Sequence, residues 1–153
     1  SLAAMLNPEV LTLWEHFHHS GAWDKTHETG YFLRQTREML VQERGDELWL
    51  APLITSNWLK DGMILAVTNA PTRFGRVSYR LSSQTKSDGI EARIEPPTRS
   101  APKVIVLRLR HPDGKTMRSV MVNGQPHDDF DPKKETIRII TGANKPATVR
   151  ASY

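Results

Sequence analysis

The chain of 153 residues has no cysteine. Disulfides and thiolate metal sites are therefore excluded, while the compartment stays open, since exported proteins also do without cysteine. Aromatic residues are only 7% of the chain. No apolar run approaches the roughly 20 residues of a membrane span, which argues against a membrane partner. The Ser1–Leu6 stretch lacks the charged region and cleavage pattern of a signal peptide. Clustered charge of one sign is also missing. The net charge is +4, but Arg76, Arg80, Arg93, Arg108, Arg110 and Arg138 alternate with apolar neighbours, as on a solvated sheet face. Without a basic patch and an aromatic platform, nucleic acid is not an expected partner.

What is present is one change of hydrophobic period, at Arg44-Gly45-Asp46. Before it the pattern is helical. Asn7-Pro8-Glu9 reads as a helix start: a capping side chain, a proline suited to the first turn and an acid at the positive end. Val10, Leu13, Trp14 and Phe17 follow at helical spacing. Gly21 ends that helix, and Asp24 or Thr26 caps a second one lined by Phe32, Leu33, Thr36, Met39 and Leu40. A short link between two amphipathic helices predicts an antiparallel hairpin. Two helices alone bury too little surface, so this pair needs a further partner: the β domain, absent helices or a second copy.

After Gly45 the period is that of strands. About eight are expected, near 48–53, 63–69, 75–83, 90–95, 104–110, 118–122, 136–140 and 148–153. Ile90, Ala92 and Ile94 alternate with Glu91, Arg93 and Glu95, so one face is buried. Val104-Ile105-Val106-Leu107 is continuous, which predicts a central strand covered on both faces. His111-Pro112-Asp113-Gly114 and Asn123-Gly124 are tight-turn signals. The expected fold class is mainly β: an antiparallel β-sandwich over residues 46–153, preceded by an α-helical hairpin over residues 1–45.

Residue types suited to chemistry concentrate around the helix–helix link. Leu13-Trp14-Glu15-His16-Phe17 and Trp23-Asp24-Lys25-Thr26-His27-Glu28-Thr29-Gly30-Tyr31 bring together carboxylates, imidazoles and aromatics. Glycan sites use these types: aromatic rings against the apolar faces of pyranoses, and a carboxyl pair across the glycosidic bond. The same spacing also assigns Trp14 and Phe17 to a packed apolar face.

From Leu13 to Tyr153 the chain resembles the C-terminal end of bacterial six-hairpin glycosidases, the α-L-rhamnosidase-like group with an (α/α)6 barrel and a following β-sandwich. The resemblance rests on three stretches. One is Thr26-His27-Glu28-Thr29-Gly30-Tyr31-Phe32-Leu33. Another is Gly45-Asp46-Glu47-Leu48-Trp49-Leu50-Ala51-Pro52, with Asn57-Trp58-Leu59 after it. The third runs from Asn69-Ala70-Pro71-Thr72-Arg73-Phe74-Gly75 to Tyr79, continuing in Arg108-Leu109-Arg110-His111-Pro112 and Val122-Asn123-Gly124. The resemblance implies that residues 1–45 are the remnant of an (α/α)6 barrel, in a parent that hydrolyses O-glycosides with inversion. It implies Glu15 as the general base, beside Trp14. It implies a sugar contact at His27. Trp14, Trp23, Glu28 and Tyr31 are the other expected substrate-binding residues, taken from the residue types gathered around the link. The general acid would lie elsewhere in the barrel, so the chain alone is expected to be inactive. The implied partner is carbohydrate, bound through the complete parent, and no cofactor is implied. The alternatives are a carbohydrate-binding sandwich module and a purely structural or interaction domain.

Metal readings are weaker. His27-Glu28 is followed by Tyr31 where a zinc motif needs histidine. His16 and His18 point to different sides of a helix. Asp128-Asp129-Phe130-Asp131-Pro132 lacks the spacing of a calcium loop and reads as a turn. No metal is expected. Trp49 and Trp58 are expected to seal the joint between helices and sandwich.

Overall fold

The structure, a computed structural model, describes residues 6–7, 12–13, 26–87, 89–140 and 145–153. It divides into two compact units, Ser1–Glu38 and Met39–Tyr153.

In the first unit, β1 (Leu6–Asn7) pairs antiparallel with β2 (Thr12–Leu13), with Leu6 opposite Leu13 and Asn7 opposite Thr12. Asn7 and Leu13 are thus extended, where the sequence reading has a helix cap and a helical face. A short apolar run such as Leu11-Thr12-Leu13 is ambiguous between the two periods, and β-branched Thr12 suits the strand. The remainder of the expected first helix, with Val10, Trp14 and Phe17, lies outside the described residues.

The second expected helix is present as α1 (Thr26–Leu40). Glu28 in its first turn and Arg37 in its last complement the helix dipole. Arg34 and Glu38 pair at 2.9 Å across one turn. Thr36, Met39 and Leu40 are half-buried, whereas Tyr31 and Leu33 are exposed.

The helix passes directly into β3 (Val41–Arg44), which forms a hairpin with β4 (Glu47–Leu50). Gly45-Asp46 is the two-residue loop of that hairpin, and Gly45 takes the positive φ of 53° that such a loop needs. The change from helix to strand therefore falls at Leu40/Val41, before the turn. Polar Gln42, Glu43 and Arg44 mask it in the sequence, since they fit an exposed helix face as well as an edge strand.

All eight expected strands occur, as β4, β5 (Ile64–Thr72), β6 (Gly75–Gln84), β7 (Gly89–Glu95), β8 (Val104–Arg108), β9 (Ser119–Val122), β12 (Thr136–Ile140) and β13 (Ala147–Ser152). The sequence reading lacks β3, β10 (Gln125–His127) and β11 (Phe130–Asp131), which are short or carry proline. Pro126 is tolerated because β10 is an edge strand. One sheet has the order β10-β9-β13-β7-β6-β5, the other β11-β12-β8-β4-β3.

Alternation places the core between the two sheets. Val77, Tyr79 and Leu81 of β6, Ile90, Ala92 and Ile94 of β7, and Val149 and Ala151 of β13 are buried on one side. Leu48, Leu50, Ile105, Leu107, Ile137 and Ile139 meet them from the other. β8 is the central strand of its sheet, as its continuous apolar run predicts, and Val106 on the opposite face is also buried.

One pairing departs from an all-antiparallel sandwich: β4 and β8 are parallel, with Leu48 beside Ile105 and Leu50 beside Leu107. Parallel neighbours require a long crossover. Here the antiparallel β5–β6–β7 meander in the opposite sheet supplies it, returning the chain to the first sheet in its original direction. At the helix exit, the Leu40 carbonyl accepts the Ala51 N–H at 2.8 Å and the buried Tyr79 hydroxyl at 2.9 Å. Burial pushes the Tyr79 phenol well above its ordinary value, so it stays a donor at any physiological pH.

Candidate functional site

The residues expected to form a sugar site fall on the first unit. Glu15, Trp14 and Trp23 lie outside the described residues, as do His16, His18 and His19. His27, Glu28 and Tyr31 lie in the first turns of α1. Positions 27 and 31 share one side of the helix, and 28 and 31 are one turn apart. The His27 side chain is outside the described set. Glu28 is half-buried and Tyr31 is 60% exposed. An acid in the first helical turn also has a plain structural use, and Glu28 serves it by complementing the dipole. Among the described residues, then, the expected site is represented by one carboxylate, one phenol and the backbone position of His27.

The acidic stretch departs from the expected turn: Phe130 and Asp131 form β11, and the turn follows at residues 132–135. Asp131 Oδ1 accepts the N–H groups of Lys133 at 2.9 Å and Lys134 at 3.0 Å. Those bonds hold its carboxyl below the usual range, so it is an occupied acceptor. Asp129 lies 3.8 Å from Arg138 Nε. Among the described residues no three His, Asp or Glu side chains are grouped to hold a metal ion. Nor is any helix there long and apolar enough to cross a membrane.

The two tryptophans of the second unit have different roles. Trp58 lies on a short 3-10 turn (Ser56–Leu59) and packs on the sandwich core. Trp49 does not. In β4, Leu48 and Leu50 point inward, so alternation sends Trp49 to the outer face of the five-stranded sheet. Its cross-strand neighbours there are Gln42 and Val106, and Arg138 follows next to Val106.

A polar network fixes the indole. Its N–H donates to Glu47 Oε2 at 2.9 Å, while Arg138 Nη1 donates to Glu47 Oε1 at 3.0 Å. The Arg44 guanidinium stacks over the ring at 4.0 Å from its centroid. Arg44 Nε and Nη2 both donate to Gln42 Oε1, at 2.8 and 2.6 Å. The sequence carries a signal for this arrangement that its reading passed over. Arg44, Glu47 and Trp49 have the outward parity, fixed by the inward parity of Leu48 and Leu50.

The Trp49 hydrogen bond, then the Arg138 charge, hold the Glu47 carboxyl below its ordinary value of 4.5. A carboxyl with a lowered native pKa stabilises the fold fully above the unfolded value. That contribution disappears as pH falls through the native value. The thermal midpoint is therefore expected to drop on acidification below about pH 4.5. Glu47→Gln should make that drop shallower without abolishing it, because Asp46, Asp61 and Asp131 are lowered in the same direction. Identical acid slopes for the two proteins in melts from pH 7 to pH 3 would remove Glu47 from this account.

The chain matches no known family profile, and no significantly similar protein is found among curated sequences.

Proposed function

We propose that the sandwich is a structural accessory domain of a glycoside hydrolase-like protein. In this reading the preceding helical segment contributes part of the glycan site of an (α/α)6 catalytic barrel. The observation that carries the reading is where the stretches bearing the resemblance fall. In the sandwich they coincide with positions that set its backbone geometry, as expected of a scaffold.

Gly45-Asp46 closes the β3–β4 hairpin. Asn69 takes a positive φ of 54° at the bulge in β5. Thr72 Oγ1 donates to the Gly75 carbonyl at 2.6 Å and accepts the Phe74 N–H at 3.1 Å, which locks the β5–β6 turn. Gly75 has a φ of 121°, and a Cβ there would meet the Arg99 Cβ at 3.2 Å, so glycine is required twice over. Asn123-Gly124 forms the β9–β10 hairpin loop, both residues at positive φ.

The catalytic part of the proposal belongs to the N-terminal segment. Glu15 acts as general base on a water, with Trp14, Trp23, His27, Glu28 and Tyr31 against the sugar. The general acid comes from another helix of the barrel. Inverting hydrolysis needs both carboxyl groups, about 6.5–9.5 Å apart. Purified alone, the chain should release no aglycone from aryl glycosides. In a protein joining it to a complete barrel, Glu15→Gln should lower kcat at least about a thousandfold while the circular-dichroism spectrum stays unchanged. Activity surviving that substitution would remove Glu15 as the base. Turnover by the chain alone would remove the need for an acid from elsewhere.

A further inference from the structure

The outer face of the five-stranded sheet holds an open concavity of about 370 Å³, within the size range of small-ligand sites. Its lining combines four cationic side chains, Arg44, Arg108, Lys133 and Lys134, with Trp49 and the exposed apolar Leu53. Two of these cations already carry a carboxylate: Arg108 pairs with Glu135 at 3.0 Å and Lys134 with Asp131 at 3.5 Å. Arg44 and Lys133 have no carboxylate bonded to them among the described residues, so a counter-charge from solution can pair with them.

Several of these cations have donors without acceptors. Arg108 gives Nη1 to the Pro52 carbonyl at 3.0 Å and Nη2 to Glu135 at 3.0 Å, but its buried Nε has no partner. Arg44 spends Nε and Nη2 on Gln42 and is held flat on the indole, which leaves Nη1 uncommitted among the described residues. The Lys133 backbone is fixed by Asp131, while its ammonium makes no ion pair with a described residue. Holding the guanidinium in advance lowers the entropy cost of receiving a carboxylate.

We propose that this concavity binds an acidic saccharide, a chain of uronic-acid units. The Arg44 and Lys133 donors take the carboxylate, and Trp49 with Leu53 supplies the apolar wall for a pyranose face. A local group of cations beside one aromatic ring suits one or two charged sugars. It does not form the continuous basic track that a nucleic-acid strand needs. The site lies wholly within the sandwich, so it stands or falls independently of the hydrolytic role proposed for Glu15.

Isothermal titration of the purified chain tests it with four probes: a hexuronate trisaccharide, the same trisaccharide with its carboxyls reduced to alcohols, inorganic sulfate, and an oligothymidylate. Binding is expected for the uronate alone, weakening with added salt. Lys133→Ala and Arg44→Gln should each weaken it about tenfold, the loss of one charge-assisted bond. Lys133 is exposed and unpaired, so its variant folds normally and keeps the test decisive if Arg44→Gln does not. Four results would overturn the proposal: no uronate binding at millimolar concentration, equal binding of the reduced sugar, sulfate binding as tight as the trisaccharide, or preference for the oligothymidylate. Unchanged affinity in Lys133→Ala would also overturn it.

Discussion

Leu107→Ala is expected to remove about 2–5 kcal/mol of folding stability, a large part of the roughly 5–15 kcal/mol that a domain of this size commonly has. Leu107 is fully buried on the central strand β8. It lies between Leu50 of the parallel neighbour and Ile137 of the antiparallel one. Removing its branched end leaves a void that both strands would have to close together, and Val106 on the other face of β8 is buried too, which limits relaxation. Leu33→Ala is the control. Leu33 lies on α1 and is 63% exposed, so its loss should change stability by less than about 0.5 kcal/mol. Urea denaturation of the two variants separates these outcomes. Comparable losses would mean that the sandwich core is not where the stability resides.

Glu135→Ala is expected to cost about 1–3 kcal/mol, an effect unusual for a residue outside the core. One of its carboxylate oxygens accepts Arg108 Nη2 at 3.0 Å and Arg110 Nε at 2.9 Å. All three side chains are about two-thirds or more shielded from solvent, so the pair of guanidiniums left behind would repel with only partial screening. Glu135 also sits at a φ of +59°, the left-handed region that favours glycine. Alanine keeps that backbone cost and glycine removes it. Glu135→Gly should therefore be more stable than Glu135→Ala by about 1 kcal/mol. Thermal melts at low and high salt check both parts: salt should narrow the gap between wild type and Glu135→Ala and leave the gap between the two variants unchanged. Wild-type stability in Glu135→Ala would show that the two arginines need no anchor.

Strand positions were legible because each buried strand repeats a local signal. Ile90-Glu91-Ala92-Arg93-Ile94 states its own pleat, and Val104 to Leu107 states burial on both sides. Turns were legible where a backbone conformation requires a residue type, as at Asn123-Gly124. The passage from α1 into β3 was not, because Gln42, Glu43 and Arg44 suit either an exposed helix face or an edge strand. The N-terminal pairing of Leu6-Asn7 with Thr12-Leu13 was hidden for a similar reason: a cap-like Asn-Pro-Glu competes with a short apolar run that has no clear period.

The candidate sites divide in the same way. Residue types around Glu15, Trp23 and His27 are visible to any reading of the sequence, since glycan chemistry uses a small set of side chains. The cationic concavity beside Trp49 was not visible. Arg44, Arg108 and Lys133 are far apart along the chain, and only strand pairing makes them neighbours.

By itself, then, the sequence determined a helix followed by a sandwich, eight of the sandwich strands, most turns and the face each of those strands buries. These follow from backbone preference and from alternation, which act over a few residues. The tertiary structure decided the parallel pairing of β4 with β8, the shared anchoring of Arg108 and Arg110 by Glu135, and the gathering of Arg44, Arg108, Lys133 and Lys134 around Trp49. Each depends on which distant strands become neighbours. That choice minimises the free energy of the whole core at once, and no local stretch of the chain encodes it.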